Sequence, residues 1–129
     1  MFTALKKNQL VAITIDQWAG NKGLWIDFFG RPPSTISILA HLAEKTRCAM
    51  VPAFCIHRGN GFYEIHIKPE MFLNEKKKNN VENTTRELNH LLEQEILENP
   101  HQWLWTHKRW KAKKNYESDA SANLSSKTS

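Results

Sequence analysis

The chain has 129 residues, which fit one domain at most, and 40% of them are hydrophobic, which is enough for a core. Lysine and arginine outnumber aspartate and glutamate by 18 to 13, and the net charge of +5 favours anionic partners such as a membrane surface, a nucleic acid or a phosphorylated substrate. No uncharged run approaches the roughly 18 residues that a transmembrane helix needs, and no secretory hydrophobic segment follows the first residues.

The first predicted elements are the end of a helix and a strand. Residues 5–7 place cations where a helix C-terminus favours them, and Asn8 can adopt the left-handed conformation that closes a helix. We therefore expect the sequence to belong to a longer protein. Residues 10–15 are rich in β-branched side chains and predict a strand, with Asp16 and Gln17 at its carboxyl end. Ligands gather at such strand ends in open α/β sheets, although Asp16 can also cap the following turn.

The next segment predicts a second strand, a corner and a helix. Residues 24–29 are apolar except for one aspartate, and Gly30 with the prolines at 32–33 must end a strand there, because proline cannot donate to a ladder. Ser34 or Thr35 can then cap a helix. The apolar face of this predicted helix consists of Ile36, Leu39, Ala40 and Ala43.

A run of nine residues without a charge, 48–56, predicts a strand that is buried on both faces. We expect residues 51–54 in the interior beside residues 10–15, with Pro52 at a strand end or a bulge. Both cysteines lie in this run, seven positions apart, so a regular strand points them to opposite faces; this argues against a mutual disulfide and fits reduced thiols in a cytosolic setting. A helix between two buried strands indicates an α/β architecture.

A hairpin is predicted next. Residues 57–61 hold the glycine and asparagine that supply positive φ angles to a tight turn. Residues 62–68 then alternate in polarity up to Pro69, which predicts an antiparallel strand with one face in water. Its apolar side carries Tyr63, Ile65 and Ile67, and its polar side carries Glu64, His66 and Lys68.

A second helix is predicted from residue 84 to residue 98, because apolar residues recur there at helical spacing and Pro100 bars its continuation. Its apolar stripe consists of Leu88, Leu91, Leu92 and Ile96, and its expected water-facing side of Glu87, Glu93, Glu95 and Glu98. From residue 112 onward the chain is polar and has too few apolar residues to form a core. We therefore expect a disordered tail whose removal leaves folding intact.

Several of these segments follow the pattern of one known family in the same order. They are Asp16-Gln17, residues 23–30, Thr35, Leu42-Ala43, Thr46, Val51-Pro52 and Arg58. Residues 100–111 add Pro-x-Gln-Trp-x-Trp-x-His-x-Arg-Trp-Lys, which looks like the closing signature of that family. Together they resemble the lipid A biosynthesis acyltransferases, bacterial enzymes that add lauroyl- or myristoyl-type secondary chains to lipid A precursors. The resemblance covers roughly residues 4–111.

The resemblance implies an α/β fold in which residues 1–111 form the C-terminal part of an acyltransferase-like mixed sheet flanked by helices, and residues 112–129 form a disordered polar tail. It implies an acyltransferase of lipopolysaccharide synthesis that moves a fatty acyl chain to a lipid A precursor at the cytoplasmic face of the inner membrane. The expected partners are acyl carrier protein as the acyl donor, the lipid A precursor, an anionic membrane surface and a missing N-terminal half.

Acyl transfer to a hydroxyl requires a base that takes the proton from that hydroxyl. The resemblance implies a histidine followed, after four intervening residues, by an aspartate or glutamate, in a motif that precedes the region matched here. Among the six histidines of the chain only His90, with Glu95, has this spacing. The pair lies in the second predicted helix, where the family motif is not found, so we treat it as a coincidence. We therefore assign no catalytic residue and expect no acyl transfer from this chain alone.

The resemblance also implies a substrate-binding group. Its expected members are Asp16, Gln17, Phe29, Gly30, Arg31 and Arg58. The guanidinium of Arg58 can hold a phosphate or a carrier-linked acyl donor bidentately; an equally good alternative is a surface arginine stacked on Tyr63 or Phe62. His57 and His66 can face each other across the hairpin, but no third zinc ligand is evident, so we expect no metal and no other cofactor.

The C-terminal end of the matched region interleaves aromatic and basic side chains. This group, expected to contact a membrane, consists of Trp103, Trp105, Lys108, Arg109, Trp110 and Lys111. Such a composition suits a lipid interface and also single-stranded nucleic acid. In a third interpretation the tryptophans pack on the core and the cations are solvated. The resemblance favours the membrane and no nucleic acid; the alternative function is a non-catalytic module that binds nucleic acid or anionic lipid.

Overall fold

The computed structural model describes residues 1–72 and 80–111. Its elements are α1 (Phe2–Lys6), β1 (Leu24–Trp25), β2 (Ser34–Thr35), α2 (Ile38–Thr46), β3 (Ala53–Gly59), β4 (Phe62–Ile67), α3 (Asn80–Glu98) and a 3-10 turn (Pro100–Gln102). Helices and strands mix along the chain, so the α/β class is confirmed, with sheets that are small antiparallel pairs, β1 with β2 and β3 with β4. The expected disordered tail lies outside the described residues, and the boundary at residue 111 stays a prediction.

The predicted helix end near the N-terminus is confirmed, whereas the predicted strand after it is wrong. α1 ends at Lys6, and Asn8 adopts a positive φ of 59°. Residues 10–15 form no strand, because no strand within residues 1–72 and 80–111 pairs with them. A β-branched sequence favours an extended chain, but its N–H and C=O groups still need a partner.

β1 and β2 form a two-residue ladder, so the strand predicted for residues 24–29 ends after its second residue. The chain turns instead at Phe29 and Gly30, whose φ angles are 53° and 73°. Gly23 allows β2 to approach the segment before β1, because a Cβ at this position would collide with the hydroxyl oxygen of Ser34.

The helix predicted after the proline pair is confirmed, but it begins later than expected. α2 starts at Ile38 behind Ser37, so the prediction that Ser34 or Thr35 caps it is wrong. Both residues are buried in β2 instead, where Ser34 donates its hydroxyl to the carbonyl of Gly20. The buried face of α2, which packs against α3, consists of Ala40, Leu42 and Ala43.

The strand at residues 48–56 is not buried on both faces, so this prediction is wrong. β3 starts directly after Pro52, as expected for a residue that ends a ladder, but Val51 is 55% exposed and Cys55 is exposed. Ile56 is the buried residue of β3. The physical reason is that, within residues 1–72 and 80–111, β3 pairs only with β4, and it packs through Phe54 on the cluster that includes Leu92 and Ile96 of α3, so a charge-free sequence is left partly in water.

The β3–β4 hairpin has the predicted turn but the opposite orientation. Asn60 and Gly61 adopt the expected positive φ angles of 50° and 79°. Tyr63, Ile65 and Ile67, expected on the core side, are 67%, 66% and 69% exposed. The polar side of β4 turns toward α3 instead, because α3 presents a buried carboxylate that requires cationic partners.

α3 begins at Asn80, four residues before the predicted start, and ends at Glu98 ahead of Pro100 as expected. Three residues of the predicted apolar stripe are buried, namely Leu88, Leu92 and Ile96. Glu95, expected in water, is only 5% exposed, which corrects that part of the prediction. Within residues 1–72 and 80–111 no helix is long and apolar enough to cross a membrane.

Candidate functional site

The centre of the described structure is a buried arginine. Arg109 is 0% exposed, although it follows exposed Lys108 near the end of the matched region. Its Nη1 donates to the carbonyls of Gln17 and Ser34, the latter at 2.9 Å, and its Nη2 donates to the hydroxyl of Thr35 at 3.1 Å. One side chain therefore joins the segment at Gln17, β2 and the C-terminal segment.

The charge of Arg109 is held in an unfavourable environment. Burial lowers the pKa of this guanidinium to about 10, and the nearby carboxylate of Asp16 acts in the opposite direction. The group still carries its proton near pH 7. The centroid of the Phe28 ring lies 5.4 Å from the guanidinium carbon, so a cation–π contact adds to the hydrogen bonds of Arg109.

Asp16 and Gln17 lie beside this arginine. Asp16 is half-buried, and its Oδ1 is buried without a hydrogen-bond partner among residues 1–72 and 80–111. Gln17 keeps an exposed side chain and contributes its carbonyl to Arg109. The carboxylate of Asp16 thus keeps one buried oxygen without an internal hydrogen bond in the described part of the chain, and its substrate-binding role stays a prediction.

The predicted corner at Phe29, Gly30 and Arg31 is held by its main chain. The N–H of Phe29 donates to Oε1 of Glu93 at 2.6 Å, and the carbonyl of Arg31 accepts from the indole N–H of Trp110 at 2.9 Å. The side chain of Arg31 is exposed. The N–H groups of Phe29, Gly30 and Arg31 are therefore all used in internal hydrogen bonds, and the exposed Arg31 side chain is the part of the corner that points into solvent.

Arg58 lies on the hairpin and forms an ion pair with Glu64. Its Nε is 2.6 Å from Oε2 of Glu64, and its Nη2 is 3.5 Å from Nε2 of His66. The hydrogen bond from Arg58, and secondly that from His66, holds the pKa of Glu64 below its usual value. The contacts of Arg58 are thus to this pair rather than to Tyr63 or Phe62, the stacking partners of the alternative interpretation.

The suggested pairing of His57 with His66 is wrong. His57 lies opposite Tyr63, with ring centroids 5.0 Å apart, and His66 lies opposite Phe54. Within residues 1–72 and 80–111 no group of three or more histidine, cysteine, aspartate or glutamate side chains is arranged to hold a metal ion. Both cysteines are free thiols.

A polar cluster beneath the hairpin was missed at the sequence level. Oε2 of buried Glu95 is 2.8 Å from Nζ of Lys68, and its Oε1 is 3.6 Å from Nδ1 of His66. The hydrogen bond to Glu95 raises the pKa of Lys68. The signal was present in the spacing, because Glu95 stands seven positions after Leu88 and three after Leu92 and therefore lies on the apolar stripe of α3.

The His90/Glu95 pair is not brought together. The two side chains leave α3 on different sides, since five positions correspond to about 140° around a helix beyond one full turn. His90 is exposed, with its Nδ1 3.3 Å from Oε2 of Glu93, whereas Glu95 faces the hairpin. This geometry gives the pair no shared substrate position.

A mainly apolar cavity of about 470 Å³ lies beside Asp16. Residues 13–16, residues 50–56 and the inner side of α3 contribute to its lining. The polar groups of the lining include Glu95, Asn99 and Gln102. Asp16 is the member of the predicted substrate-binding group that lines it, while Arg58 and the corner at residues 29–31 lie elsewhere.

The aromatic-basic group at the C-terminus divides into two parts. Trp103 and Trp110 pack on Phe28, with ring centroids 6.0 and 5.6 Å away, which agrees with the core interpretation. Arg109 is buried, so it is removed from the residues expected at a membrane. The exposed part consists of Trp105, Lys108 and Lys111, the last lying 4.3 Å from the ring of Trp18.

Comparison with known protein families gives a match over most of the chain. A model of the family described as bacterial lipid A biosynthesis acyltransferase matches residues 1–112, which include every described residue. No curated protein sequence matches the chain. The matched range contains Gln17, Ser34, Thr35 and Arg109, which are the residues that the buried arginine network connects.

Proposed function

This chain belongs to the bacterial lipid A biosynthesis acyltransferases, and from that premise we propose that it takes part in moving a fatty acyl chain from acyl carrier protein to a lipid A precursor. The observation that carries the proposal is the Arg109 network. It joins Gln17, Ser34 and Thr35, which stand up to 92 positions from Arg109 in the sequence, beside the free carboxylate oxygen of Asp16. Segments of the family pattern thus meet at one place.

We propose a division of the reaction between two segments. This chain contributes Asp16, whose unpaired Oδ1 accepts a hydrogen bond from the substrate, next to an apolar cavity. The base that removes the hydroxyl proton comes from a segment with the histidine and acid at the family spacing, because His90 and Glu95 face different directions here. Arg58 binds an anionic group of a substrate when that group replaces Glu64 as its partner.

The test is an acyl transfer assay with lauroyl-loaded acyl carrier protein and a lipid A precursor. The chain alone is expected to give background transfer. Co-expression with an upstream-encoded segment that carries the histidine motif is expected to give turnover, because the base is then supplied. In the completed enzyme Asp16→Asn lowers turnover, whereas Arg86→Gln, which breaks an exposed pair with Glu82 on α3, leaves it unchanged.

The variant His90→Ala separates this proposal from its main rival. It is expected to leave turnover of the completed enzyme unaltered. If the 129-residue chain alone transfers acyl groups and His90→Ala abolishes that transfer, the base lies on α3 and the division of the reaction is wrong.

The exposed part of the aromatic-basic group is proposed to contact the anionic surface of the inner membrane. Trp105 is 56% exposed, with exposed Leu104 and Lys108 close to it in the sequence. We expect Trp105→Ala to weaken binding to phosphatidylglycerol vesicles about tenfold, since burying about 60 Å² of ring surface gives about 1.5 kcal/mol. Vesicle sedimentation measures the change.

The matched control for this experiment is Leu97→Ala, which removes an apolar side chain of α3 that is 70% exposed. It is expected to leave vesicle binding as it is. Equal losses for both variants would show a nonspecific apolar effect. Tight, salt-dependent binding of single-stranded nucleic acid that Trp105→Ala abolishes would favour the alternative function as a nucleic-acid module.

A further inference from the structure

One edge of β3 is closed at a single residue by a side chain. His57 donates its N–H to Oε1 of Gln102 at 3.1 Å, and its C=O accepts from Nε2 of Gln102 at 3.0 Å. Two residues of adjacent antiparallel strands exchange the same two hydrogen bonds. The carboxamide of Gln102 therefore takes the place of a neighbouring strand at His57.

The same edge is open two residues earlier. Main-chain groups alternate along a strand, so the N–H and C=O of Cys55 point in the same direction as those of His57. The hydrogen bond from the N–H of Lys68 to the carbonyl of Pro52 supports this orientation. It shows that the main-chain N–H and C=O groups of the even-numbered residues in this stretch point toward β4. Within residues 1–72 and 80–111 no hydrogen bond to the main chain of Cys55 comes from the side away from β4.

This open edge borders the cavity. Residues 50–56 line it, whereas no residue of β4 does, so the cavity lies on the side of β3 that β4 leaves free. Residues 13–16 line it as well, and the first three of them belong to the β-branched sequence that has no ladder partner in the described part of the chain. Residues 13–16 and β3 thus border the same apolar cavity, each with a side of its main chain that forms no ladder hydrogen bonds in the described structure. Residues of α3 line the cavity beneath them.

We propose that an extended peptide segment from outside residues 1–129 fills this cavity as a β-strand beside β3 and pairs with the N–H and C=O of Cys55. Its inward side chains are apolar, because they contact Leu91 and Leu92 of α3 in the cavity lining. The inference rests on the proposed function for the source of the strand, which is the polypeptide that supplies the catalytic histidine. The main-chain groups of Cys55 that would pair with this strand belong to β3 and do not depend on where the strand comes from.

A fatty acyl chain is the other ligand that an apolar cavity of this volume admits. A hydrocarbon carries no hydrogen-bonding groups, so it would cover the edge and leave the N–H and C=O of Cys55 without partners, which costs free energy. A peptide strand satisfies both groups while burying apolar side chains. The open edge therefore favours a peptide over a hydrocarbon.

The test uses the full chain labelled with ¹⁵N and a synthetic nine-residue peptide of alternating valine and threonine with blocked ends. We expect saturable binding with slowed exchange of the Cys55 amide proton, while the amides of Phe54 and Ile56, already paired with β4, change little. Cys55→Pro removes an N–H that points away from β4 and is expected to weaken binding about tenfold. Cys55→Val keeps this N–H and is expected to bind as the unaltered chain does.

A second probe keeps the proposal falsifiable if Cys55→Pro does not fold. Methylation of the peptide nitrogens that face β3 preserves the side chains, removes the donors and is expected to weaken binding at least tenfold. Equal binding of both peptides, equal binding by Cys55→Pro, or no binding of the unmodified peptide at millimolar concentration overturns the proposal. Binding of dodecanoate in its place assigns the cavity to a hydrocarbon and also overturns it. None of these outcomes depends on acyl transfer, so failure here is distinct from failure of the proposed function.

Discussion

Replacing Arg109 with methionine is expected to lower the free energy of unfolding by about 3–5 kcal/mol, the range typical of breaking a buried charged network from one side. Methionine fills much of the same volume but donates no hydrogen bond, so the carbonyls of Gln17 and Ser34 and the hydroxyl of Thr35 lose their donor. Removing the buried charge recovers part of the loss, because burial already lowers the pKa of this guanidinium to about 10. Urea denaturation followed by tryptophan fluorescence measures the difference.

Two controls accompany this variant. Lys108→Met changes the neighbouring exposed cation and is expected to stay within about 0.5 kcal/mol, as surface substitutions usually do. Arg109→Lys keeps the charge but cannot make the forked set of bonds, so its stability should fall between those of the other two variants. An unfolding midpoint for Arg109→Met that equals that of the unaltered chain would show that the network contributes nothing to stability.

The helices and turns were predictable because their causes are local. The apolar spacing at Leu88, Leu92 and Ile96 predicts α3 wherever the rest of the chain lies, and Pro100 limits it through its own missing N–H. The turn at Asn60 and Gly61 likewise depends on residues that tolerate positive φ. Nothing distant has to be known for either prediction.

The strands were predicted less well because a strand depends on its neighbours. Residues 10–15 have a strand-forming sequence and no ladder, since partners for their main chain are not present in the described structure. Alternation in β4 shows that two faces differ, but it does not show which face meets the core. Glu95, 28 positions after Ile67, decides this by drawing Lys68 and His66 inward and leaving the apolar face of β4 in water.

The candidate site was predictable in its residue types but not in its burial. Arg109 and Lys108 are adjacent cations in one aromatic-basic segment, and composition assigns both to the surface. The structure separates them because only Arg109 reaches carbonyl acceptors at Gln17 and Ser34. Trp103 and Trp105 divide in the same way, since only Trp103 lies against Phe28. These distinctions depend on contacts between residues more than 70 positions apart.

Phe28→Ala is expected to lower the free energy of unfolding by about 3–5 kcal/mol, the same range as that expected for Arg109→Met. The Phe28 ring is fully buried with Leu92 and Ile96, and it lies 5.6 Å from the ring of Trp110 and 6.0 Å from that of Trp103. Alanine leaves a cavity that these neighbours cannot fill without moving. Phe28→Leu retains most of the volume and should cost less than about 1.5 kcal/mol, so the pair separates cavity formation from the loss of aromatic contacts.

The double variant Phe28→Ala with Arg109→Met tests whether the Phe28 ring and the Arg109 network stabilise each other. The guanidinium carbon of Arg109 lies 5.4 Å from the Phe28 ring, so each single variant already removes their shared contact. The double variant should therefore lose less stability than the sum of the two single losses, by about 0.5–3 kcal/mol. Additivity within about 0.3 kcal/mol would show that the aromatic core and the arginine network stabilise the chain independently, and Arg109 would then be held by its oxygen acceptors alone.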